Sequence, residues 1–321
     1  MRNLYKNCHL CPRSCNIDRT TGEEGFCKES ASLRVASAVL HKGEEPPLVG
    51  KGGSGTIFIS GCNLGCAFCQ NYQISQGLDG KQGLGREVSS ETFAKICLTL
   101  QERGAENVNI VTGSHAVPAI IQGLETAKKA GLRIPVLWNS SAYETVKTLG
   151  MLRDYVDIYL PDLKTLDSAI AAKFFKAPDY PDAATAAILE MINTAKRGKK
   201  VIVRHLILPD YLESTRKVLR WFAENAKSEA QSDAQAAVEL SLMTQYAPIP
   251  GLNQMAPQRF LSGEDYGAVL EWLSEYGIED GFCQELVTGS GWLPDFKRSN
   301  PFSSELSIPV WHYGSSFTSP S

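Results

Sequence analysis

Cys62, Cys66 and Cys69 fall within GCNLGCAFCQN, residues 61–71. The spacing C-x3-C-x2-C on a loop lets three sulfurs face one point. Thiolates are soft ligands that select zinc, copper(I) or iron–sulfur clusters. A closed zinc site wants a fourth ligand close by, and the next histidine is far along the chain at His115. A [4Fe–4S] cluster held by three cysteines leaves one iron open, and an open iron can bind a substrate or cofactor directly.

Four more cysteines, Cys8, Cys11, Cys15 and Cys27, sit near the start, with Pro12 and Gly25 helping to turn the chain between them. Four thiolates complete a site for structural zinc or for an auxiliary [4Fe–4S] cluster, the spacing does not choose between them, and no stable metal is the third reading. His9 is in reach as a replacement ligand. The remaining two, Cys97 and Cys283, read as small buried apolar residues.

The elements that must position these groups follow from periodicity. From residue 56 onward, short β-branched runs alternate with amphipathic stretches. Strands are expected at 56–60, 107–111, 134–139, 156–160, 200–208 and 238–246. Helices are expected near 89–103, 116–130, 142–153, 166–176, 183–198, 211–227 and 262–276. Ser89 and Ser90 mark one helix start, and Gly104, Gly131 and Gly277 lie just past three ends. Such alternation indicates a parallel sheet with right-handed crossovers. The number of units is short of a closed eight-unit barrel, so an open partial barrel or a doubly wound sheet fits. No GxGxxG follows a first strand, which weighs against dinucleotide binding.

Polar groups cluster at the carboxyl ends of these strands, where parallel α/β folds build their sites. They are the cysteine loop, Thr112–His115, Asn139–Ser141, Asp162–Lys164 and Thr244–Tyr246. In VIVRHLIL, alternation puts Arg204 and His205 on opposite faces, so only one can point inward. Gln245 and Tyr246 either line a substrate end or close the last strand. The glycine-rich PPLVGKGGSG, residues 46–55, enters a strand rather than a helix, so it positions backbone and does not cradle phosphate. The alanine-rich polar stretch 224–237 reads as a helix end and a solvated connection.

Composition sets outer limits. At 321 residues, 43% hydrophobic and 21% charged, the chain is that of a globular protein. A net charge of −3 without a basic stripe gives no pull toward nucleic acid. No leader and no long apolar run appear in MRNLYKNCHLCPR or beyond, so a cytoplasmic location without a membrane is expected. In a reducing compartment, clustered cysteines are metal ligands or redox groups before they are disulfides.

The cysteine motif, with Phe68 before its third cysteine and a strand before its first, resembles the radical S-adenosylmethionine (SAM) superfamily. CHLCPRSCNIDRTTGEEGFC, YLPDLK, VRHLILPD and SLMTQYAPI extend the resemblance to poorly characterised relatives of pyruvate formate-lyase-activating enzyme. It implies a partial (β/α)6 barrel over 51–290, a cysteine-rich extension over 1–50 and a tail over 291–321 packing on the barrel. It also implies a [4Fe–4S] cluster on Cys62, Cys66 and Cys69, with SAM on the fourth iron. Reductive cleavage of SAM would yield a 5′-deoxyadenosyl radical that abstracts a substrate hydrogen, from a backbone glycine of a glycyl-radical enzyme or from a small molecule or peptide. A one-electron donor such as flavodoxin or ferredoxin would supply the electron.

By the same resemblance, Thr112, Gly113, Ser114 and His115 stand where activating enzymes carry GGEP, whose acid is absent here. Asp162 and Lys164 match a strand-end Asp-x-Lys near SAM. Asn139 and Ser140 are candidates for its ribose or carboxylate, and Arg204 is preferred over His205 as the inward residue. The competing readings are a non-catalytic iron–sulfur electron carrier and a zinc-binding interaction protein.

Overall fold

The structure, a computed structural model, describes residues 1–76, 81–195, 198–227, 237–249, 251–252 and 255–318. Parts of two expected elements, 196–197 of a helix and 228–236 of the solvated connection, lie outside the described residues, as does the tail beyond 318.

One sheet organises the chain. Its strands are β1 (Arg34–His41), β2 (Ser54–Ile59), β3 (Arg86–Glu87), β4 (Val108–Val111), β5 (Val136–Ser140), β6 (Ile158–Pro161), β7 (Lys200–Leu206), β8 (Ala237–Met243), β9 (Gly281–Cys283), β10 (Ser307–His312) and β11 (Ser316–Phe317). The order is β11-β10-β1-β2-β4-β5-β6-β7-β8-β9, with β3 on β1. From β2 through β9 every pairing is parallel. The six strands expected from periodicity are β2 and β4 to β8, and β9 adds a short seventh. Among the described residues no ladder joins β9 to β11, so the barrel is partial.

The helices are α1 (Pro46–Val49), α2 (Tyr72–Ser75), α3 (Ser90–Glu102), α4 (Val117–Lys129), α5 (Val146–Leu152), α6 (Ser168–Phe175), α7 (Tyr180–Ala195), α8 (Leu212–Trp221) and α9 (Gly263–Glu275). A π-helical segment, Phe222–Lys227, continues α8. In α3 the Ser89 hydroxyl accepts from the Thr92 amide, and Phe93, Ile96, Cys97 and Leu100 form the buried stripe. The helix stops at Gly104, φ +85°, where the Gly104 amide donates to Gln101 and Ala105 donates to Leu100. Those two bonds define a Schellman cap, whose left-handed residue glycine adopts without strain. Gly131 and Gly277 close α4 and α9 by the same pair of bonds.

Two faces of the sheet have different jobs. Outward residues such as Ile57, Ile110, Trp138 and Val203 pack under the helices in the main core. Inward residues Leu137, Leu160 and Ile202 enclose Leu48 of α1. The segment joining β1 to β2 thus pushes up into the barrel and fills its lower end. β1 ties the first 50 residues to the barrel by antiparallel pairing with β2, and β10 of the last 31 pairs with β1 on its other side.

Two cysteine expectations divide here. Cys97 is fully buried on α3, as expected, but Cys283 is exposed. β9 is an edge strand, so its residues lack the cover that burial would need, and the Cys283 thiol meets the Tyr266 hydroxyl at 3.5 Å and the Gln284 carbonyl at 3.9 Å.

Candidate metal and cofactor site

The loop after β2 is made by close packing at glycine. Gly61 has φ +82°, and a Cβ there would lie 2.4 Å from Glu29 Cγ and 2.8 Å from the Cys27 carbonyl. Only glycine lets the chain turn this tightly against the N-terminal segment. The loop is then pinned from outside. Arg13 donates to the carbonyls of Asn63 (2.9 Å), Leu64 (3.2 Å), Phe175 (2.7 Å) and Lys176 (2.5 Å). Asn63 donates to Tyr143 O at 2.6 Å, and the Ala67 amide to Phe174 O at 2.8 Å. Phe68 meets Phe174, Phe175 and Tyr246 edge-on. Gln70 donates to Gln245 O at 2.8 Å, tying the loop to the end of β8.

What this scaffold holds is a set of three thiols and no fourth. The Leu64 amide donates to Cys62 Sγ at 3.4 Å and the Ser75 hydroxyl to Cys69 Sγ at 3.6 Å. Burial pushes the Cys66 thiol far up, against the pull of Lys164, and pushes Cys69 up to about 11 with the Cys62 charge adding to it. Thiols in such a place stay protonated until a metal displaces the protons. A soft three-sulfur donor set with N–H and O–H groups already aimed at sulfur fits an iron–sulfur cluster with one open iron.

Around it stand the strand ends. Asp162 and Lys164 form an ion pair at 2.5 Å. Burial works against the Lys164 charge, but Asp162 and then Cys66 more than offset it and hold the ammonium charged. The Tyr180 hydroxyl accepts from the Lys164 amide (2.9 Å) and contacts Asp162 O at 2.7 Å. Asn139 lies half-buried on the inward face of β5 beside Leu160, and its side-chain amide makes no hydrogen bond to the described residues. Thr112 has φ +63°, unusual for a β-branched residue, and its amide donates to Asn139 O at 2.9 Å. A Cβ on Gly113 would lie 2.6 Å from the Trp138 ring.

Other residues expected at the site already have partners within the protein. Ser114 and Ser140 are buried, and both hydroxyls donate to Glu144, at 2.8 and 2.9 Å; the Trp138 indole adds a third donor at 2.7 Å. The ring of His115 is buried with Nε2 on Ser60 O at 2.9 Å, and burial lowers its pKa to about 3. Arg204 points inward and His205 outward. The guanidinium binds Glu45 through Nε at 2.8 Å, and a terminal nitrogen reaches both Glu44 and Glu45. Asn109 donates to Glu44 at 2.8 Å. The arginine is therefore part of the barrel floor. His205 is held by Leu163 O (2.7 Å) and Thr215 Oγ1 (2.9 Å) under α8. Tyr246 is buried and donates to Pro257 O at 2.8 Å, closing β8.

Sequence reading missed Glu144, Glu44, Glu45 and Arg13. Only Glu144 left a signal, an acid four residues past the strand-end Ser140. His9 is exposed and does not line the N-terminal cysteine cavity; His115 does.

A family model described as the radical SAM superfamily matches residues 56–222, just over half the chain. MJ0674, an uncharacterised protein of Methanocaldococcus jannaschii, is 31% identical over 287 residues, covering 87% of this chain and 77% of that protein. A second uncharacterised protein of that organism, MJ0808, is 34% identical over 82 residues, 22% of this chain and 24% of its own. Among solved structures, Streptococcus suis SuiB bound to precursor peptide SuiA aligns at a TM-score of 0.48 and 15% identity over 70% of this chain. The match spans 46% of SuiB, under half its length. A domain of pyruvate-formate lyase-activating enzyme from Bacteroides vulgatus aligns at 0.35 and 15% identity, over 52% of this chain and 91% of that domain. No described helix is long and apolar enough to cross a membrane.

Proposed function

The chain belongs to the radical SAM superfamily, and on that premise we propose that it is an enzyme whose Cys62, Cys66 and Cys69 hold a [4Fe–4S] cluster with SAM on the open iron. When bound, that pair supplies reductive cleavage of SAM and a 5′-deoxyadenosyl radical able to take hydrogen from a substrate. The observation that carries the reading is the donor set itself. Three thiols share one pinned loop, hydrogen bonds already reach two of the sulfurs, and the other six cysteines lie elsewhere.

The chain's own part is binding, orientation and exclusion of water. Asn139 offers a free amide beside the strand ends, and Lys164 a held positive charge for a carboxylate. Thr112 and Gly113 offer backbone. Phe68 and Tyr246 seal the loop against the α6 side.

The test is anaerobic reconstitution, reduction with dithionite in the presence of SAM, and measurement of 5′-deoxyadenosine. Wild type should form it, and Cys62→Ala, Cys66→Ala or Cys69→Ala should not. An intact reduced cluster that leaves SAM untouched would favour the electron-carrier reading and sink the enzyme.

The finer reading, activation of a glycyl-radical enzyme, is supported by the resemblance of the cysteine loop, YLPDLK and SLMTQYAPI to activating enzymes. It requires a partner protein and an electron donor such as flavodoxin or ferredoxin. Mixing with a glycyl-radical enzyme should produce a glycyl EPR doublet, and a silent spectrum with SAM still consumed assigns the radical to a small molecule or peptide.

A further inference from the structure

We infer that Cys8, Cys11, Cys15 and Cys27 hold a second cluster, a [4Fe–4S] with four thiolate ligands, pressed against the loop of Cys62. This goes beyond the activity proposed above and does not depend on it.

All four cysteines line one small cavity, together with Arg13, Arg19, Gly25, Phe26 and His115. Their convergence comes from the backbone. A Cβ on Gly25 would lie 3.2 Å from Cys15 Sγ and 3.7 Å from Cys27 Sγ, so glycine brings the main chain onto two sulfurs at once. The next amide, Phe26 N, donates to Cys15 Sγ at 3.5 Å.

Charge points the same way. Arg19 is 2% exposed, and its bonds go to Glu29 O (3.0 Å), Ser30 O (2.5 Å), His115 O (2.8 Å) and Cys8 Sγ (3.6 Å). Among the described residues no carboxylate pairs with it. A guanidinium taken out of water needs a counter-charge, and the thiolates of Cys8 and Cys27 would supply one beside the Tyr5 ring, 4.8 Å from the guanidinium carbon. The buried glutamate nearby, Glu29, pairs through Oε1 with Arg34 at 2.8 Å and feels the Arg19 charge without a direct ion pair to it. His115 Nδ1 is a further buried atom on this wall without a hydrogen-bond partner among the described residues. Thiols become thiolates when a metal replaces their protons, so metal binding would satisfy the arginine.

Four thiolates complete the ligand set of a cubane, and the Cys27 carbonyl lies against Gly61 of the loop already read as a cluster site, which favours iron–sulfur over zinc.

The two sites abut. Gln76 donates to Phe26 O (3.1 Å) and Cys62 O (3.2 Å) from one amide nitrogen, and Gly61 lies on the Cys27 carbonyl.

The experiment uses the full chain with Cys62, Cys66 and Cys69 all changed to Ala, leaving the N-terminal four intact. After anaerobic reconstitution with ferrous iron and sulfide, it should hold about four irons and four sulfides per chain, and wild type about eight. Adding Cys8→Ala and Cys27→Ala should remove the remaining iron. The triple variant carrying about one zinc and no iron, or no metal, would overturn the inference. Because the triple variant keeps every N-terminal ligand, its count stands whether or not the other variants fold. Because it lacks the first site, its result is separate from SAM cleavage by wild type.

Discussion

Glu144→Ala removes one carboxylate from a buried cluster of polar groups and leaves three donors behind. Trp138 Nε1 is the least able to adapt, because the ring is fully buried and its N–H direction is fixed. Leaving such a donor unpaired costs about 1–3 kcal/mol, and losing two hydroxyl bonds adds about 1 kcal/mol each. The expected loss is therefore about 4 kcal/mol, large against the stability of an ordinary domain. Glu144→Gln is the matched control. Its amide oxygen can still accept from Ser114 and Trp138, while its NH2 faces Ser140, so the cost should fall to about 1 kcal/mol. The glutamine variant also carries a pH signature. Burial raises the Glu144 carboxyl, with Ser114, Trp138 and Ser140 pulling partly back. A raised acid contributes stability that is fully present below its unfolded pKa and lost as pH rises through its folded value. The deficit of Glu144→Gln relative to wild type should therefore shrink with rising pH. Urea denaturation under anaerobic conditions at several pH values measures both effects. Equal losses for alanine and glutamine, or an alanine loss under about 1 kcal/mol, would refute the assignment of these bonds as what holds the strand ends together.

Gly61→Ala forces a side chain into Glu29 and the Cys27 carbonyl at positive φ, and should cost well over about 1 kcal/mol and lower iron at the Cys62 loop, read by iron count. Arg13→Ala gives up four carbonyl contacts and should destabilise by about 2 kcal/mol; Arg13→Lys should not restore it, since one ammonium cannot span the fork. Burial lowers His205 to about 4 from an ordinary 6.5, with Leu163 O pulling it partly back up. Stability from this residue is present above about pH 6.5 and is lost as pH falls through about 4, on the order of 3 kcal/mol in all. His205→Gln should flatten that part of the pH–stability curve, and an unchanged slope would refute it.

How legible the molecule was depended on how local each signal is. The parallel strands show as β-branched runs, and Gly104, Gly131 and Gly277 mark helix ends because each sits one residue past a cap it completes. The cysteine loop is local too, with its ligands inside eight residues. β1 escaped notice because LRVASAVLH is not followed by a helical pattern, and its partners lie in β2 and, far away, in β10. Glu44 and Glu45 look like a solvated charge pair in KGEEPP; they become the barrel floor only when β1 and β2 fold back and drive α1 inward. Ser114 and Ser140 sit at the strand ends where a ligand contact is expected. Sequence could not reveal that Glu144, brought in beneath them, takes both hydroxyls.

β1 also sets an order of events during synthesis. One edge of it meets β2 across the short connection 42–53, but on the other, where β3 covers Arg34 and Val35, Ser37 to His41 wait for β10: the Ser37 hydroxyl donates to Trp311 O, 274 residues away in sequence. Until residues 307–312 have left the ribosome, that edge presents unpaired amides and carbonyls, next to the segment carrying Cys8 to Cys27. An open strand edge is a template for foreign strands. The nascent chain must therefore carry its cysteine-rich segment, folded or shielded, until β10 is made.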